Sequence, residues 1–342
     1  MSQPVLSVEQ LEDLLSAPTP EVVEVLKALE GDVLVLGVAG KMGPSLARMV
    51  RRASQAAGVE RRVIGVSRFP SVETRAALEA RGVETIRCDL THEDAVALLP
   101  EAPNVVFMAG MKFGSTGQEA RTWAMNTYAP AVVCRRYPES RIVAFSTGNV
   151  YGLSPVAAGG SKETDAPQPL GEYAQSCLGR ERIFEHFSRT QGTRVAVIRL
   201  NYACELRYGV LVDLARAVSR GEPVDLGMGH LNAIWQGDAN AMALRAFAHV
   251  ASPPFVVNVT GPEQLSVRET CLELGRQMGK TPRFTGSEAK DALLSNAGLA
   301  RRLFGEPRVG APQLLSWIAG WVEAGGASLD KPTHFAVRDG RF

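Results

Sequence analysis

A tyrosine and a cysteine four residues apart are the first side chains in this sequence whose spacing suggests chemistry. The stretch PLGEYAQSCLGRERIFEHF (169–187) has the pattern of a helix and contains Tyr173 and Cys177. On a helix, residues i and i+4 project from the same face, so the phenol and the thiol should be neighbours. The pair is either a catalytic tyrosine with an unusual partner or part of the core.

A second candidate is the glycine-rich sequence GVAGKMG (37–43), which follows an apolar run and precedes a helix opened by Pro44. Its glycines would let the backbone approach a pyrophosphate, which would rest on the helix N-terminus. A nucleoside triphosphatase loop would need glycine at position 35 and Ser or Thr at position 42, and the residues there are Val35 and Met42. The sequence therefore predicts a dinucleotide-binding loop, with a ligand-free tight turn as the alternative.

Seven nearly continuous apolar runs have the character of parallel strands buried on both faces. They cover residues 32–38, 62–67, 84–88, 104–110, 141–146, 194–200 and 255–260. Helical patterns alternate with them, which favours an α/β fold with a Rossmann-like doubly wound parallel sheet.

After residue 200 helical patterns dominate, at about 209–220, 238–249, 266–278, 288–303 and 311–324. We therefore expect a smaller, mainly helical C-terminal substrate lobe. The predicted division is an N-terminal helical extension (1–30), a nucleotide-binding domain (31–202 plus 232–260) and the lobe (203–231 plus 261–342).

The bulk composition is that of a soluble globular protein. Among 342 residues the formal net charge is +1, which favours neither nucleic acid nor an anionic membrane. The five cysteines form no CxxC pair and the histidines form no paired-ligand motif, so we expect no metal site and a reducing, cytoplasmic setting. The N-terminus lacks the pattern of a secretory signal, and no apolar run is long enough to span a membrane.

In addition to the glycine loop, several motifs follow one another in an order that resembles the extended short-chain dehydrogenase/reductase family, the NAD(P)-dependent epimerases and dehydratases. They are CDL (88–90), FMAGMKFG (107–114), AMNTYAP (124–130), FSTGNVYG (145–152) and NVTGPEQLSVRE (258–269). Each motif is loose by itself; together they are specific for the family and not for one member.

The resemblance gives Tyr173 the role of general acid/base, with Thr147 bonded to the same substrate oxygen. It implies a cofactor site made of Gly37, Gly40, Lys41, Met42, Gly43, Arg68, Asp89, Leu90, Ala109, Gly110, Asn126 and Tyr173. It implies a substrate site made of Thr147, Gly148, Asn149, Asn201 and Arg207. A core tyrosine at position 173 is the alternative.

The resemblance also bears on the cofactor, which is NADP or NAD. Arg68 follows the second strand, where a carboxylate would favour NAD, and Lys41 lies where NADP-dependent relatives carry a second cation. We therefore expect NADP to be preferred, although both charges could be solvated surface groups.

The family places a lysine at the position of Cys177. A unit charge at ~5 Å and an effective dielectric of ~20 is worth about 3 kcal/mol, or roughly two pKa units, so without it the phenol should keep a pKa near its ordinary value of about 10. We interpret Cys177 as a neutral thiol. Lys112, then Lys162, then Arg180 are the candidate substitutes, and the absence of any substitute is the alternative.

The substrate lobe departs from nucleotide-sugar relatives, because LNAIWQGD (231–238) lacks the arginine that grips a diphosphate. We therefore expect a small polar, sugar-like substrate whose hydroxyl or carbonyl reacts, and Arg207 suggests an anionic one unless it forms a surface salt bridge. Relatives often dimerise through helices flanking the tyrosine, so the resemblance implies a homodimer. A nucleotide-binding sensor, regulator or scaffold without catalysis is the alternative function.

Overall fold

The computed structural model describes residues 4–112, 114 and 116–341. At its centre is a seven-stranded sheet in which every strand runs parallel to its neighbours. In chain order the strands are β1 Val33–Leu36, β2 Val63–Ser67, β3 Glu84–Arg87, β4 Asn104–Phe107, β5 Arg141–Thr147, β6 Arg194–Leu200 and β7 Phe255–Val259. Each falls on one of the predicted runs, so the predicted fold class is confirmed.

The strand order across the sheet is β7-β6-β5-β4-β1-β2-β3. The chain starts at β1, moves outward to β3 and then returns to place β4 on the other side of β1. The loops that follow β1 and β4 therefore diverge, and the crevice between them is where doubly wound sheets bind ligands. This topology brings the glycine loop next to the loop that carries Lys112.

Helices cover both faces of the sheet and build the C-terminal lobe. They are α1 Val8–Leu15, α2 Pro20–Ala28, α3 Gly43–Ala56, α4 Val72–Glu79, α5 Glu93–Ala97, α6 Glu119–Trp123, α7 Ala129–Arg136, α8 Gly171–Gln191, α9 Val210–Arg220, α10 Gln236–Arg245, α11 Val267–Met278, α12 Gly298–Phe304 and α13 Ala311–Glu323. A π-helical turn over Ala124–Tyr128 joins α6 to α7. The lobe core is formed mainly by the apolar faces of α9, α11 and α13.

Two short strand pairs connect the lobe to the sheet domain: Ser154–Pro155 with Asp291–Ala292, and Ala203–Cys204 with Ile234–Trp235. Two more pairs lie within the lobe: Pro223–Asp225 with Arg283–Thr285, and His230–Leu231 with Leu265–Ser266.

One predicted helix is wrong over most of its length. The segment 288–303 is helical only from Gly298, because the Asn296 side chain accepts a hydrogen bond from the Gly298 N–H (2.9 Å) and starts the helix there. Upstream of Asn296, the segment instead pairs as the short strand Asp291–Ala292.

The two N-terminal helices pack into different cores. Leu11 and Leu15 of α1 are fully buried in the lobe core, whereas Val22 and Leu26 of α2 are buried against the sheet domain. The extension therefore contacts both parts of the molecule. No described helix is long and apolar enough to cross a membrane.

Candidate active site

A cavity of about 280 Å³ opens at the carboxyl edge of the sheet, between the glycine loop and α8. Its lining joins residues that are far apart in sequence: the glycine loop, the loop after β4, the end of β5, two residues of α8 and the start of the lobe. The side chains in this lining that can do chemistry are Lys41, Lys112, Ser146, Tyr173 and Arg180.

The glycine loop has no space for side chains at two of its glycines. A Cβ at Gly37 would lie 2.6 Å from the Ala109 nitrogen, and Gly37 has φ +88°, which favours glycine. A Cβ at Gly43, the first residue of α3, would lie 2.2 Å from the Val38 oxygen. The loop is therefore held tightly against the strand ends, with the N-terminus of α3 at the crevice, as a dinucleotide site requires.

Tyr173 lies in the first turn of α8 and its hydroxyl is hydrogen-bonded to Thr147 at the end of β5. Thr147 Oγ1 in turn accepts hydrogen bonds from the Asn149 backbone N–H (3.2 Å) and side-chain amide (2.9 Å). Burial and the neighbouring Cys177 raise the pKa of the phenol far above its ordinary value, while Arg180 and Thr147 oppose that shift. Without a bound ligand the phenol is protonated at neutral pH and can act as an acid.

Cys177 is fully buried beside Val150 and Tyr151. Burial raises the pKa of its thiol, against the opposing effects of Arg180 and of a hydrogen bond with Tyr173. The raised pKa favours the neutral form of this thiol. The phenol does not keep its ordinary pKa of about 10, as the sequence suggested, because it is buried and no lysine compensates.

Asn126 connects the loop after β4 to α8. Its Oδ1 accepts hydrogen bonds from the Met111 N–H (3.0 Å) and from Arg180 Nη2 (2.6 Å), and its Nδ2 donates to Ser176 Oγ (2.9 Å). Asn126 lies in the π-helical turn, a feature that frequently marks functional sites. Because this loop carries Lys112 and α8 carries the tyrosine, Asn126 fixes the two relative to each other.

Arg180 lines the cavity, although the sequence analysis ranked it last among the candidate cations. It lies seven residues after Tyr173 on the same face of α8, is buried, and donates to the Phe145 oxygen (2.8 Å). A Cβ at Gly110 would come within 2.4 Å of its Nη2, so glycine at 110 makes room for it. The i+7 spacing from Tyr173 was the available signal. Lys162, ranked above it, is exposed and does not line the cavity.

Burial lowers the pKa of two lysines in the cavity. Lys112 has its Nζ 5.7 Å from the centre of the Tyr173 ring, and burial lowers its pKa to about 8, with a further contribution from the charge of Lys41. Lys41 donates to the Ala203 oxygen (2.6 Å) with its Nζ 4.1 Å from the centre of the Tyr208 ring, and burial lowers its pKa to about 8 as well. Among the described residues, no aspartate or glutamate lines this cavity.

A buried ion pair supports the strand that carries Thr147. Arg199 and Glu181 are both 6% exposed and their nearest atoms are 2.7 Å apart. Glu181 also accepts a hydrogen bond from Ser146 Oγ (2.5 Å), and Arg199 donates to the Tyr151 hydroxyl (2.7 Å). The network ties the ends of β5 and β6 to α8, so Thr147 and Tyr173 are held by one connected structure.

Several predicted residues lie away from this cavity. Arg68 is exposed and 3.9 Å from Asp89, while Leu90 and Ala109 are buried in the core between the sheet and its helices. Asn201 donates to the Leu293 oxygen (3.4 Å) and, with Ser295, covers Gly148.

Arg207 lines a larger cleft of about 880 Å³ that continues from the cavity. It pairs with Glu205 (3.1 Å) and Glu12 (2.7 Å), which corresponds to the salt-bridge alternative considered for it.

A model of the NAD-dependent epimerase/dehydratase family matches residues 33–250, more than half of the chain. The chain belongs to this family. The match confirms the family resemblance and the general prediction of an NAD(P)-dependent epimerase/dehydratase-type enzyme, and it gives the sensor or scaffold alternative no support. A search of curated protein sequences gave no significant match.

Several solved structures have the same fold. MoeE5 in complex with UDP-glucuronic acid and NAD is 24% identical over 86% of this chain and 100% of its own, with a TM-score of 0.70. UDP-glucose 4-epimerase from Thermotoga maritima is 20% identical over 86% and 99% of the two chains, with a TM-score of 0.70. UDP-glucuronic acid 4-epimerase from Bacillus cereus in complex with NAD is 19% identical over 85% and 96%, with a TM-score of 0.72.

Proposed function

We propose that the protein transfers a hydride between a nicotinamide dinucleotide and a hydroxyl- or carbonyl-bearing carbon of a small polar, sugar-like substrate, with Tyr173 as acid/base. The observation that carries this proposal is the hydrogen bond between Tyr173 and Thr147 beside the glycine-loop cavity. Two hydroxyls joined in this way can bind one substrate oxygen and pass a proton to or from it.

The residues of the cavity fit a dinucleotide. Glycine at 37 and 43 lets the loop pack against Ala109 and Val38, and α3 begins at the same point, so its N-terminus can receive a pyrophosphate. Lys41, Lys112 and Arg180 give the cavity positive charge, with no carboxylate in its described lining. When bound, the nicotinamide would supply the hydride acceptor or donor.

The residues of the chain would manage the proton. In the reducing direction the protonated phenol of Tyr173 donates to the substrate oxygen. In the oxidising direction the phenol must be ionised, which burial opposes. We propose that Lys112 supplies the compensating charge for the missing lysine, because its ammonium is 5.7 Å from the Tyr173 ring and lies in the same cavity. Arg180 adds a second, permanent charge that also acts on the phenol.

We further propose that the substrate is smaller than a nucleotide sugar. At the position where relatives carry a diphosphate-binding arginine, Leu231 is fully buried in the lobe core. A sugar, polyol or sugar acid without a nucleotide would place its reacting oxygen at Tyr173 and Thr147. The predicted contacts of Gly148 and Asn201 are blocked in this structure, because Asn201 bonds to Leu293 and covers Gly148. Arg207 is already paired with Glu12 and Glu205, so an anionic substrate could pair with it only by sharing the guanidinium with these two carboxylates.

A preference for NADP over NAD would have to come from Arg68. The second predicted cation, Lys41, reaches the Ala203 oxygen and the Tyr208 ring of the lobe, and Asp89 partly neutralises Arg68. We propose NAD(P) as the cofactor, with Arg68 as the residue that would select NADP. Arg68→Ala should weaken NADP binding about fivefold and leave NAD binding unchanged, since a partly exposed charge contact is worth about 1 kcal/mol. Equal effects on both cofactors would exclude that role.

We propose a cytoplasmic homodimer that contacts a second copy through the surface around α8. Trp123, Tyr128 and Leu170 expose large apolar surface there, at 37%, 44% and 45%. A monomer by analytical ultracentrifugation would contradict this assembly.

The proposed reaction is tested by mixing NAD-loaded protein with unactivated sugars, sugar acids and polyols, and in parallel with UDP-glucose. Reduction of the nicotinamide, followed by its near-ultraviolet absorbance, is expected with at least one unactivated compound and not with UDP-glucose. Reduction by UDP-glucose alone would contradict the small-substrate proposal. Normal NAD binding with neither transient nor lasting reduction, and with no conversion of any compound, would contradict catalysis and favour a sensor.

A further inference from the structure

The chain after α13 crosses the lobe as a strap, defined as residues 329–341. Its backbone forms turns and extended segments without a helix or strand. At its start the Leu329 N–H donates to the Arg207 oxygen (3.2 Å). Further along, the hydroxyl and the N–H of the buried Thr333 donate to Asp213 (2.6 and 2.8 Å). The strap is therefore fixed to the lobe, although no residue of it takes part in the proposed reaction.

The strap leads to an opening between two walls that flank the Tyr173–Thr147 pair. One wall is α8, which carries Tyr173 in its first turn. The other is the lobe segment 291–296, whose Ser295 Oγ would lie 2.8 Å from a Cβ at Gly148, the residue after Thr147. The two hydroxyls proposed to bind the reacting oxygen therefore lie between these walls.

Side chains of the strap attach it to the lobe wall. Arg338 donates to the backbone oxygens of Asp291 (3.1 Å) and Gly227 (2.9 Å), and it forms an ion pair with the Asp291 carboxylate. Phe335 is half-buried and packs against the small apolar cluster that contains Leu293. The strap thus lies on the segment that covers the end of β5.

The end of the strap crosses to the α8 wall. A Cβ at Gly340 would overlap the Leu170 oxygen and lie 2.9 Å from the Gly171 nitrogen, and Gly340 has φ +75°. This backbone contact is at the start of α8, two residues before Tyr173. Since Arg338 is held by the lobe wall and Gly340 by the α8 wall, the strap bridges the opening between them.

We infer that the strap is the gate of the substrate site and sets the size of the substrate. This inference rests on the proposed function of the same site. With a dinucleotide in the cavity between the glycine loop and α8, any part of a substrate beyond its reacting carbon has to extend through the opening between the lobe and α8. A compact sugar or sugar acid can remain beneath the strap, whereas a substrate with a bulky group attached must displace it.

The strap can open beyond its Thr333 anchor. On either side of this anchor, Asp330 (φ +48°) and His334 (φ +54°) have left-handed backbone, which residues other than glycine seldom adopt. Strain of this kind persists only where surrounding contacts hold it, and it is frequent in ligand clamps and switch regions. Releasing the contacts of Arg338 and Gly340 lets the backbone relax at His334 and uncovers the opening, while Thr333 keeps the strap attached.

Quenching of bound NADH fluorescence by acrylamide measures how open the gate is without any substrate. Arg338→Gln removes the ion pair with Asp291 and should raise the quenching constant about fivefold, the population shift expected for the loss of one partly exposed ion pair. Gly340→Ala should raise it at least as much, because its methyl group meets the Leu170 backbone and lifts the strap from α8.

Two matched controls receive the same substitutions outside the strap. Gly325→Ala changes another glycine of positive φ (+66°), but a Cβ there meets nothing within 4 Å. Arg301→Gln removes an exposed ion pair with Glu306 of similar kind. Both controls should match the wild type in the quenching of bound NADH.

Size selection is measured with the most active monosaccharide or sugar acid of the panel and with disaccharides that contain it. The ratio of kcat/KM for the small compound to that for the disaccharide should fall about fivefold in Arg338→Gln and Gly340→Ala and stay unchanged in the controls. A ratio that is equal in gate variants and controls would overturn the inference, while reduction of the nicotinamide by the small compound would still support the proposed function. Raised quenching in the gate variants with no conversion of any compound would support the gate and contradict the proposed reaction.

Discussion

Cofactor binding should depend on pH in a way that can be calculated from the cavity. Lys41 and Lys112 both have a pKa lowered to about 8, chiefly by burial, and Lys41 further lowers the pKa of Lys112. Cys204, Glu205 and Asp213 oppose the shift of Lys41, Arg207 adds to it, and Cys177 opposes that of Lys112. An anionic dinucleotide would stabilise both ammonium groups, so their pKa values should rise on binding.

The size of the effect follows from Coulomb's law. A phosphate charge at ~5 Å and an effective dielectric of ~20 contributes about 3 kcal/mol, or roughly two pKa units, which moves a lysine from about 8 to about 10. Because the bound-state pKa is the higher one, affinity is fully present below the free-state pKa and is lost as the pH rises through both values. Between pH 7 and about pH 9, each lysine that responds should weaken binding about tenfold.

Isothermal titration calorimetry measures both consequences without a substrate. Near pH 9, NAD binding should take up close to one proton per responding lysine, seen as a dependence of the heat on the buffer. Lys41→Met should lower the proton uptake on NAD binding by about one proton and remove one tenfold loss of affinity over this pH range. Lys280 is an exposed lysine outside the cleft, so Lys280→Met should change neither quantity. Affinity that is constant from pH 7 to about pH 9, or proton uptake that Lys41→Met leaves intact, would refute this electrostatic reasoning.

Three further predictions concern the framework of the site. Lys112→Met should lower turnover about 100-fold near pH 7 and move the pH optimum of turnover upward, because the phenolate loses ~3 kcal/mol of stabilisation by a nearby charge. An unchanged pH profile would exclude Lys112 as the substitute cation. Gly37→Ala should weaken NAD binding at least ~10-fold, since its Cβ would meet the Ala109 backbone, while Gly58→Ala, with open space around it, should not. Equal affinities of the two variants for NAD would show that the glycine loop does not bind the cofactor. Glu181→Gln should lower the free energy of unfolding, measured by urea denaturation, by about 3–5 kcal/mol, because Arg199 is left buried without its partner. A loss under ~1 kcal/mol would show that the pair does not support the site.

The sheet and the glycine loop could be predicted because their signals are local. Seven apolar runs of strand length and a glycine triplet before Pro44 require only neighbouring residues to be interpreted. The segment 288–303 failed for the same reason: its composition favours a helix, but pairing of Asp291–Ala292 with Ser154–Pro155 is a distant contact that no local pattern records.

Within the candidate site, the family resemblance predicted that Tyr173 and Thr147 act together, and the structure joins them by a hydrogen bond, whereas the charges around them depend on tertiary contacts. Arg180 was underestimated because only the fold brings it under Gly110 and onto Asn126. Lys41 was interpreted as a cofactor-selecting cation, but its side chain turns toward Ala203, 162 residues later. A long, flexible cation has a reach that sequence position does not fix.

Formation of reduced nicotinamide in a single turnover tests the central claim, that Tyr173 moves the proton, most directly. NAD-loaded wild-type protein and the variants Tyr173→Phe and Tyr128→Phe are mixed with a compound found active in the sugar and sugar-acid panel. We predict that Tyr173→Phe binds NAD normally and forms reduced nicotinamide at least ~100-fold more slowly, the lower range of a positioned acid/base. The exposed Tyr128→Phe should match the wild type. Equal rates for Tyr173→Phe and the wild type would contradict the account.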